Sequence, residues 1–155
     1  MTIQIEIPGR GLVVLHHAVF DINGTLTVDG QLIEGVDALI AELKQRVEVH
    51  LLTADTFGAG AAIGARLGVA SHHITGGGAE KARIVRELGA AHVAAIGNGA
   101  NDAPMFNEAA LAIAVLGEEG LSVEALQAAD VAAQRIHDAI RLLLTPKRLV
   151  ATLRR

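Results

Sequence analysis

The sequence predicts an α/β protein built on a doubly wound parallel sheet, and three observations lead to that fold class. Apolar runs of strand length alternate with helical patterns along the chain. Polar clusters directly follow three of these runs, at Asp21, Thr53 and Asn98. The composition, 51% hydrophobic and 19% charged over 155 residues, allows a sizeable core. We therefore expect a single domain over residues 1–155, with helices on both faces of the sheet.

The elements follow from the spacing of apolar residues. The expected strands are 2–7 at an edge, 12–20 as the first central strand, 47–52, 69–74, 91–96, 111–115 and 130–132. The expected helices are 35–46, 58–67, 79–88, 103–109, 123–128 and 137–153, the last interrupted near Pro146. Within residues 27–32, the pair Asp29-Gly30 predicts a tight turn and therefore a small hairpin flap.

The most informative segment is the apolar run that ends in Asp21 and continues as Ile22-Asn23-Gly24-Thr25-Leu26-Thr27. A carboxylate at the C-terminal end of a central strand is poorly placed for packing and well placed for chemistry. Gly24 lets backbone N–H groups turn toward a bound anion, and the threonine hydroxyls add donors. The pattern predicts an aspartate that attacks phosphorus while the loop behind it holds the phosphate.

Two further polar clusters and a lysine complete the predicted site. The segments Thr53-Ala54-Asp55-Thr56 and Gly97-Asn98-Gly99-Ala100-Asn101-Asp102 each follow a strand, and Lys81 lies in the first turn of a predicted helix. Attack of a carboxylate on a phosphate brings like charges together, so the site needs cations, which Lys81 and Mg²⁺ can supply. Mg²⁺ takes a few oxygen ligands and several waters, which suits a sparse carboxylate and amide site.

Together these motifs resemble the haloacid dehalogenase superfamily of phosphotransferases, and among them a soluble version of the P-type ATPase phosphorylation domain. Residues 21–27 resemble that family's Asp-Lys-Thr-Gly-Thr-Leu-Thr, and residues 52–55 resemble its Leu-Thr-Gly-Asp. Residues 97–104 resemble its Gly-Asp-Gly-Val-Asn-Asp-Ala-Pro, and Lys81 precedes them at the expected place. The resemblance covers residue 13 to the C-terminus and implies a Rossmann-like core.

The resemblance also implies roles for individual residues. Asp21 would form an aspartyl-phosphate, and the group expected to carry catalysis is Asp21, Asn23, Thr53 and Lys81. The group expected to bind phosphate is Gly24, Thr53, Ala54, Lys81 and Asn101. The group expected to hold Mg²⁺ is Asp21, Asn23 through its backbone carbonyl, Asn98 and Asp102. Whether Asn98 or Asp102 is the direct ligand stays open.

Two positions depart from the family pattern. Phosphatases of the superfamily usually have a second aspartate where this chain has Asn23, and that aspartate acts as general acid and then as general base. Asparagine cannot transfer a proton at neutral pH, so we expect slow hydrolysis. The family also has aspartate where this chain has Asn98. An amide oxygen still coordinates Mg²⁺ but contributes no charge, so we expect weaker Mg²⁺ binding.

The spacing leaves no room for a large cap, because helical sequence resumes at residue 35. An open site suits a phosphorylated small molecule or phosphoprotein, or a partner acting as lid, and self-association is an open expectation. The net charge of −4 gives no basic surface for nucleic acid. No membrane span or signal peptide is visible, so a cytoplasmic location is the default expectation. The absence of cysteine excludes thiolate metal sites.

Histidine pairs invite a metal-site interpretation, which the sequence does not favour. His16-His17 and His72-His73 are neighbours in predicted strands, and neighbouring side chains point to opposite faces.

From the motifs at Asp21, Thr53, Lys81 and Asn98, we expect a slow Mg²⁺-dependent phosphatase acting through Asp21. The alternative is a catalytically weakened module that binds phosphate or Mg²⁺ and regulates or scaffolds a partner. A detached ATPase subunit is a weaker alternative, because no nucleotide-binding insertion separates Asp21 from Thr53.

Overall fold

The computed structural model describes residues 1–55 and 58–155. Within these two ranges, six parallel strands form the central sheet, in the order β10-β9-β8-β3-β6-β7. The strands in chain order are β1 (Ile3–Ile7), β2 (Gly11–Leu15), β3 (His17–Asp21), β4 (Thr27–Val28), β5 (Gln31–Leu32), β6 (Glu48–Thr53), β7 (Ala70–His73), β8 (Val93–Gly97), β9 (Leu111–Val115) and β10 (Val131–Ala133).

The helices connect these strands. They are α1 (Val36–Leu43), α2 (Ala59–Leu67), α3 (Gly77–Leu88), α4 (Ala103–Glu108), α5 (Val123–Ala128), α6 (Ile136–Leu144) and α7 (Pro146–Leu153), with 3₁₀ turns at Ala90–His92 and Ala100–Asp102. The break predicted near Pro146 is confirmed as the boundary between α6 and α7. Among the described residues, no helix combines the length and the apolar character needed to cross a lipid bilayer.

Alternate residues of β3 show that both faces of the sheet are covered. Ala18 and Phe20 lie in a core with residues of α1, α6 and α7, whereas Val19 lies in a second core with residues of α3, α4 and α5. All three side chains are fully buried. The doubly wound parallel sheet predicted from the sequence is therefore confirmed.

The first central strand differs from its prediction. The sequence indicates one strand over 12–20, but the chain forms β2 and β3 with His16 between them. β2 pairs antiparallel with β1 through the turn after Ile7, outside the parallel sheet. Hydrophobicity alone cannot reveal this break, because both pieces are apolar and the difference lies only in their pairing partners.

The flap after β3 is confirmed. β4 and β5 form an antiparallel pair joined by Asp29 and Gly30, which have φ values of +50° and +79°. Two successive positive φ angles match the twist of a two-residue hairpin. Within the described residues only this flap and short loops separate β3 from α1, and no cap domain is inserted there.

The strand order reverses at β3. The chain proceeds from β3 to β6 and β7 on one side, and then returns to β8, β9 and β10 on the other. Ligands of open α/β sheets bind beyond the C-terminal ends of the strands at such a reversal. β3 and β8 are neighbours there, so the loops after Asp21 and Gly97 flank the crevice.

Candidate active site

Asp21 ends β3, and the strand register places the other polar clusters beside it. Asp21 pairs with Leu52 on β6, so Thr53 is the next residue along that strand. On the other side, Phe20 pairs with Ile96, and β8 ends one residue later. Three of the predicted motifs therefore meet at the C-terminal ends of three adjacent strands.

Lys81 bridges two buried carboxylates. Its Nζ lies 2.8 Å from Asp21 Oδ1 and 2.8 Å from Asp102 Oδ1. Lys81 is 1% exposed and Asp102 is 0% exposed, so water cannot screen these charges. The helix begins at Gly77 rather than at residue 79, and Lys81 therefore lies in its second turn instead of the first turn that the sequence predicted. A solvated helix lysine is thus excluded.

The three charges influence one another. The pKa of Asp21 is raised to about 6, chiefly by burial and then by the charge of Asp102, while Lys81 opposes both effects. Burial alone would lower the pKa of Lys81, but Asp21 and Asp102 together raise it above its ordinary value. At neutral pH, with Asp21 ionised, two carboxylates and one ammonium group leave one negative charge uncompensated.

Gly24 is required by the shape of the loop after Asp21. Its φ is +78°, and a Cβ atom at this position would lie 2.6 Å from Asn98 Nδ2. Both the left-handed backbone and the close approach exclude a larger residue without rearrangement. The loop after β3 therefore packs directly against the loop after β8.

The threonine hydroxyls of this loop contact the protein itself. Thr25 Oγ1 lies 3.2 Å from Asp21 Oδ2 and 3.1 Å from Asn98 Oδ1, and Thr27 Oγ1 donates to the Ile22 carbonyl at 3.2 Å. The sequence predicted that both hydroxyls serve a bound anion. In the structure the loop folds around the Ile22 carbonyl, and these hydroxyls fix its shape and orient Asp21, while their binding of an anion stays a prediction.

Asp102 organises the loop after β8. Its Oδ2 accepts hydrogen bonds from the backbone N–H groups of Asn98 at 3.0 Å and Gly99 at 2.9 Å, while Oδ1 contacts Lys81. Both carboxylate oxygens thus already have donors in the protein. The motif alone did not show that this aspartate would be turned inward to face the lysine.

Asn98 is oriented differently from Asp102. Its Nδ2 donates to the Gly120 carbonyl at 3.2 Å, and this bond turns Oδ1 toward Thr25 and the Asp21 loop. Asn98 is partly exposed, whereas Asp102 is not. Of the two ligands that the sequence left open, Asn98 is the one whose oxygen faces the crevice.

The remaining residues predicted for the site differ in their exposure to solvent. Thr53 is buried, and its Oγ1 accepts a hydrogen bond from the backbone N–H of Asp55 at 3.0 Å. Asn23, Ala54 and Asn101 are exposed at the rim. Thr56, which closes the second motif, lies outside the described residues.

The donor set fits a hard divalent cation. An Asp21 carboxylate, the Asn98 amide oxygen and the backbone carbonyl available at Asn23 are all oxygen ligands, which Mg²⁺ prefers. The uncompensated negative charge of the Asp21, Lys81 and Asp102 group favours a cation at the same place.

A cavity of about 320 Å³ adjoins the Asp21 loop. Gly24 and Thr25 form one wall, and the flap contributes Val28 and Leu32. The lining is mainly apolar, and its charged side chains are Glu118 and Arg135, the latter paired with Asp138 at 3.2 Å. The cavity is large enough for the organic part of a small substrate.

Comparisons with known sequences give partial matches. No protein family model matches the chain. An uncharacterized protein of Methanocaldococcus jannaschii is 42% identical over 62 residues, which are 40% of this chain and 67% of that protein. The phospholipid-transporting ATPase tat-1 of Caenorhabditis elegans is 46% identical over 66 residues, which are 43% of this chain and 6% of the ATPase.

Solved structures resemble the whole sheet. A HAD-family hydrolase of Streptomyces avermitilis aligns with a TM-score of 0.69 at 21% identity, over 84% of this chain and 83% of the other. The 3-deoxy-D-manno-octulosonate 8-phosphate phosphatase of Moraxella catarrhalis, solved with magnesium, phosphate and KDO, aligns with a TM-score of 0.67 at 19% identity, over 88% and 90%. At such identities these two matches establish the fold alone.

A third structure is nearer in sequence. A zinc-transporting PIB-type ATPase in its E2.Pi state is 32% identical and aligns with a TM-score of 0.64. The match covers 79% of this chain but only 20% of the transporter. The chain thus corresponds to one part of the ATPase, and the transporter's activity as a whole is not carried over.

Proposed function

We propose that the chain is a phosphatase of the haloacid dehalogenase superfamily, which transfers a phosphoryl group to Asp21 and then to water. The observation that carries this proposal is the contact of Lys81 with both Asp21 and Asp102 at a strand-order reversal. A buried ammonium group fixed beside a strand-end carboxylate is the arrangement that attack on a phosphate needs.

In the first step, a carboxylate oxygen of Asp21 attacks phosphorus and the bond from phosphorus to the ester oxygen breaks. The leaving oxygen takes a proton from water, and the phosphoryl group stays on Asp21 as an acyl phosphate. Thr25 and Lys81 hold the carboxylate in place, so little reorganisation is required at the moment of attack.

In the second step, water attacks the same phosphorus, its proton passes to solvent, and the bond from phosphorus to the Asp21 oxygen breaks. The products are free phosphate and the original carboxylate. Asn23 is exposed beside this bond and cannot accept the proton of the attacking water. The proposal therefore includes slow hydrolysis of the phosphorylated protein, because general base catalysis contributes about 10²-fold to 10⁴-fold.

Thr53, the backbone at Gly24 and Ala54, and the rim residue Asn101 are proposed to bind the phosphoryl oxygens. Asp21, the Asn23 carbonyl and Asn98 are proposed to hold Mg²⁺, which when bound neutralises phosphoryl charge. Asp102 is proposed to act only through Lys81 and the loop, since its side chain is fully buried and its oxygens bond to Lys81 and to the loop N–H groups.

The substrate is proposed to be a phosphorylated small molecule whose organic part enters the 320 Å³ cavity beside Thr25. The cavity's mainly apolar lining suits the carbon skeleton of such a substrate. The flap forms one wall, so flap residues influence the choice of substrate more than the rate of the chemical steps.

A module that binds phosphate without turnover is a second candidate. It is favoured by the amides at Asn23 and Asn98, which remove two negative charges and the proton-transfer group that the family pattern provides. The two candidates differ in one observable, which is phosphate release.

The test is hydrolysis of an aryl phosphate with and without Mg²⁺ by the wild type and by Asp21→Asn. The proposal expects release that depends on Mg²⁺ and is lost in Asp21→Asn. The matched control is Asp37→Asn on α1, an exposed aspartate whose carboxylate only caps the neighbouring N–H and lies near Arg66. Its rate should equal that of the wild type.

Two outcomes would overturn the phosphatase proposal. Equal activity of the wild type and Asp21→Asn would place the chemistry elsewhere. No release by the wild type, with phosphate still binding and with release appearing in Asn23→Asp, would establish the second candidate.

A further inference from the structure

A row of histidines crosses the sheet away from Asp21. His17 begins β3, His50 lies on β6 and His72 lies on β7. The parallel register pairs His17 with Glu48, which places their side chains on the same face of the sheet as His50. The sequence pattern did not favour a histidine metal site, because neighbouring histidines within one strand point to opposite faces. His17, His50 and His72 instead come together from three different strands.

The side chains of His17, Glu48 and His50 lie at nearly equal distances from one another. His17 Nδ1 lies 3.2 Å from His50 Nε2 and 3.6 Å from a Glu48 oxygen. His50 Nε2 lies 3.5 Å from the other Glu48 oxygen. All three residues offer a ligand atom within one small volume.

We propose that His17, Glu48 and His50 form a binding site for a divalent transition metal ion of the Zn²⁺ type. Zn²⁺ binds imidazole nitrogen and carboxylate oxygen at about 2.0–2.2 Å, so tetrahedral ligands lie about 3.3–3.6 Å from one another. The separations of 3.2 Å between the histidines, and of 3.6 Å and 3.5 Å from each histidine to one of the two Glu48 oxygens, are close to that spacing. Two nitrogens and one oxygen favour Zn²⁺ over Mg²⁺, which prefers oxygen ligands alone.

His72 supports the site from behind. Its Nε2 lies 3.2 Å from His50 Nδ1, so His50 can donate its N–H to His72 and leave Nε2 free to coordinate a metal. A ring nitrogen that donates to a neighbour is the usual way in which a metal-binding histidine is oriented. His50 is only 4% exposed, so the packing around it helps to hold its ring in this orientation.

The site is open on one side. The side chain of Glu48 is 62% exposed and that of His17 is 19% exposed, so an ion can enter from solvent and a water can complete its coordination. Along β3, His17 precedes Asp21 by four residues, or about 13 Å at 3.3 Å per residue. The two sites therefore lie at opposite ends of the same strand and share no residue.

The test is a Zn²⁺ titration of the intact chain with Mg²⁺ in excess, followed by calorimetry and by NMR of the imidazole nitrogens. We expect one Zn²⁺ bound per chain at this site, with signals of His17 and His50 shifting on binding. His17→Gln and Glu48→Gln should each weaken binding by at least about 10-fold. Both residues are accessible to solvent, so their variants keep the buried core intact.

The matched control is His73→Gln. His73 is exposed on β7 next to His72, but alternation along the strand turns it to the opposite face. This variant should bind Zn²⁺ as the wild type does. His72→Gln should weaken binding by about 10-fold to 100-fold, as expected for a residue that orients a ligand.

Three results would overturn the metal site. The first is the absence of Zn²⁺ binding by the wild type, which would leave the cluster as a hydrogen-bonded row of histidines. The second is unchanged affinity in His17→Gln. The third is equal loss in His73→Gln, which would indicate binding at scattered surface histidines.

Discussion

The chemistry of this protein depends on how one carboxylate is held. Asp21 contacts Lys81 through one oxygen and Thr25 through the other, so its orientation is fixed before any substrate arrives. Burial and the nearby charge of Asp102 make its ionised form costly, and Lys81 compensates only in part. Such a carboxylate is poised to gain from a bound cation.

The pKa of Asp21 predicts how activity depends on pH. Since this pKa is raised from 3.8 to about 6, the residue is protonated and unable to attack below about pH 6. Activity should therefore fall about tenfold for each pH unit below that point and level off above it. In the proposed mechanism Mg²⁺ binds the ionised carboxylate, so it should move the midpoint of the profile lower as its concentration rises. A profile of kcat/KM against pH at two Mg²⁺ concentrations checks this, and a midpoint independent of Mg²⁺ would contradict it.

The raised pKa of Asp21 affects stability in the opposite direction from activity: activity should rise with pH, whereas the free energy of unfolding should fall. Between pH 3.8 and about 6, the folded metal-free protein binds more protons at Asp21 than the unfolded chain does. The contribution of Asp21 to the free energy of unfolding therefore falls as pH rises through this window. Urea unfolding of the wild type and Asp21→Asn should show that the variant lacks this part of the pH dependence. Parallel curves for the two proteins would be inconsistent with the raised pKa.

Replacing Asn23 with aspartate should increase the rate of hydrolysis. Asn23→Asp introduces a group that can protonate the leaving oxygen and then deprotonate the attacking water. Aryl phosphate hydrolysis should rise by up to about 10²-fold to 10⁴-fold, while thermal stability should change little because the residue is exposed. A fall in rate in a folded variant would show that Asn23 does not occupy the proton-transfer position.

At the scale of elements, one ion pair network joins parts of the fold that are distant in sequence. Lys81 projects from α3 to the end of β3 and to the 3₁₀ turn at Ala100–Asp102. Asp102 in turn holds the loop after β8 through Asn98 and Gly99. The positions of these elements at the crevice therefore depend on a single ammonium group.

This arrangement predicts the effect of removing Lys81. Lys81→Met should leave two buried carboxylates without a cationic partner and cost about 3–5 kcal/mol in the free energy of unfolding at neutral pH. Adding Asp102→Asn should recover part of that loss, because one of the two charges disappears. Denaturant unfolding of both single variants and the double variant checks this. Strictly additive losses would mean that the contacts are not coupled.

At the scale of the molecule, the sequence predicts the parallel sheet and the edge at which the motifs meet. Their convergence follows from strand ends alone, because parallel strands present their C-termini on one side. The break at His16 could not be predicted, since β2 and β3 are both apolar and differ only in their pairing. The inward orientation of the Asp102 side chain could not be predicted either, because it depends on the path of α3, which carries its partner Lys81.

The row of histidines shows the same limit. His17, His50 and His72 are far apart in sequence and become neighbours only through the register of β3, β6 and β7. No periodicity within one strand carries that information. The register between neighbouring strands, which brings these histidines together, is therefore the main feature of the candidate sites that the sequence could not predict.

The most direct test of the account is to find where phosphate is bound covalently during turnover. The protein is mixed with an aryl phosphate and Mg²⁺, quenched in acid, and its peptides are analysed by mass spectrometry. We expect a phosphoryl group on Asp21, which accumulates because Asn23 cannot speed its hydrolysis and which is removed by hydroxylamine as an acyl phosphate. Phosphate on another residue, or steady hydrolysis with no phosphoryl group on Asp21 at any time, would contradict it.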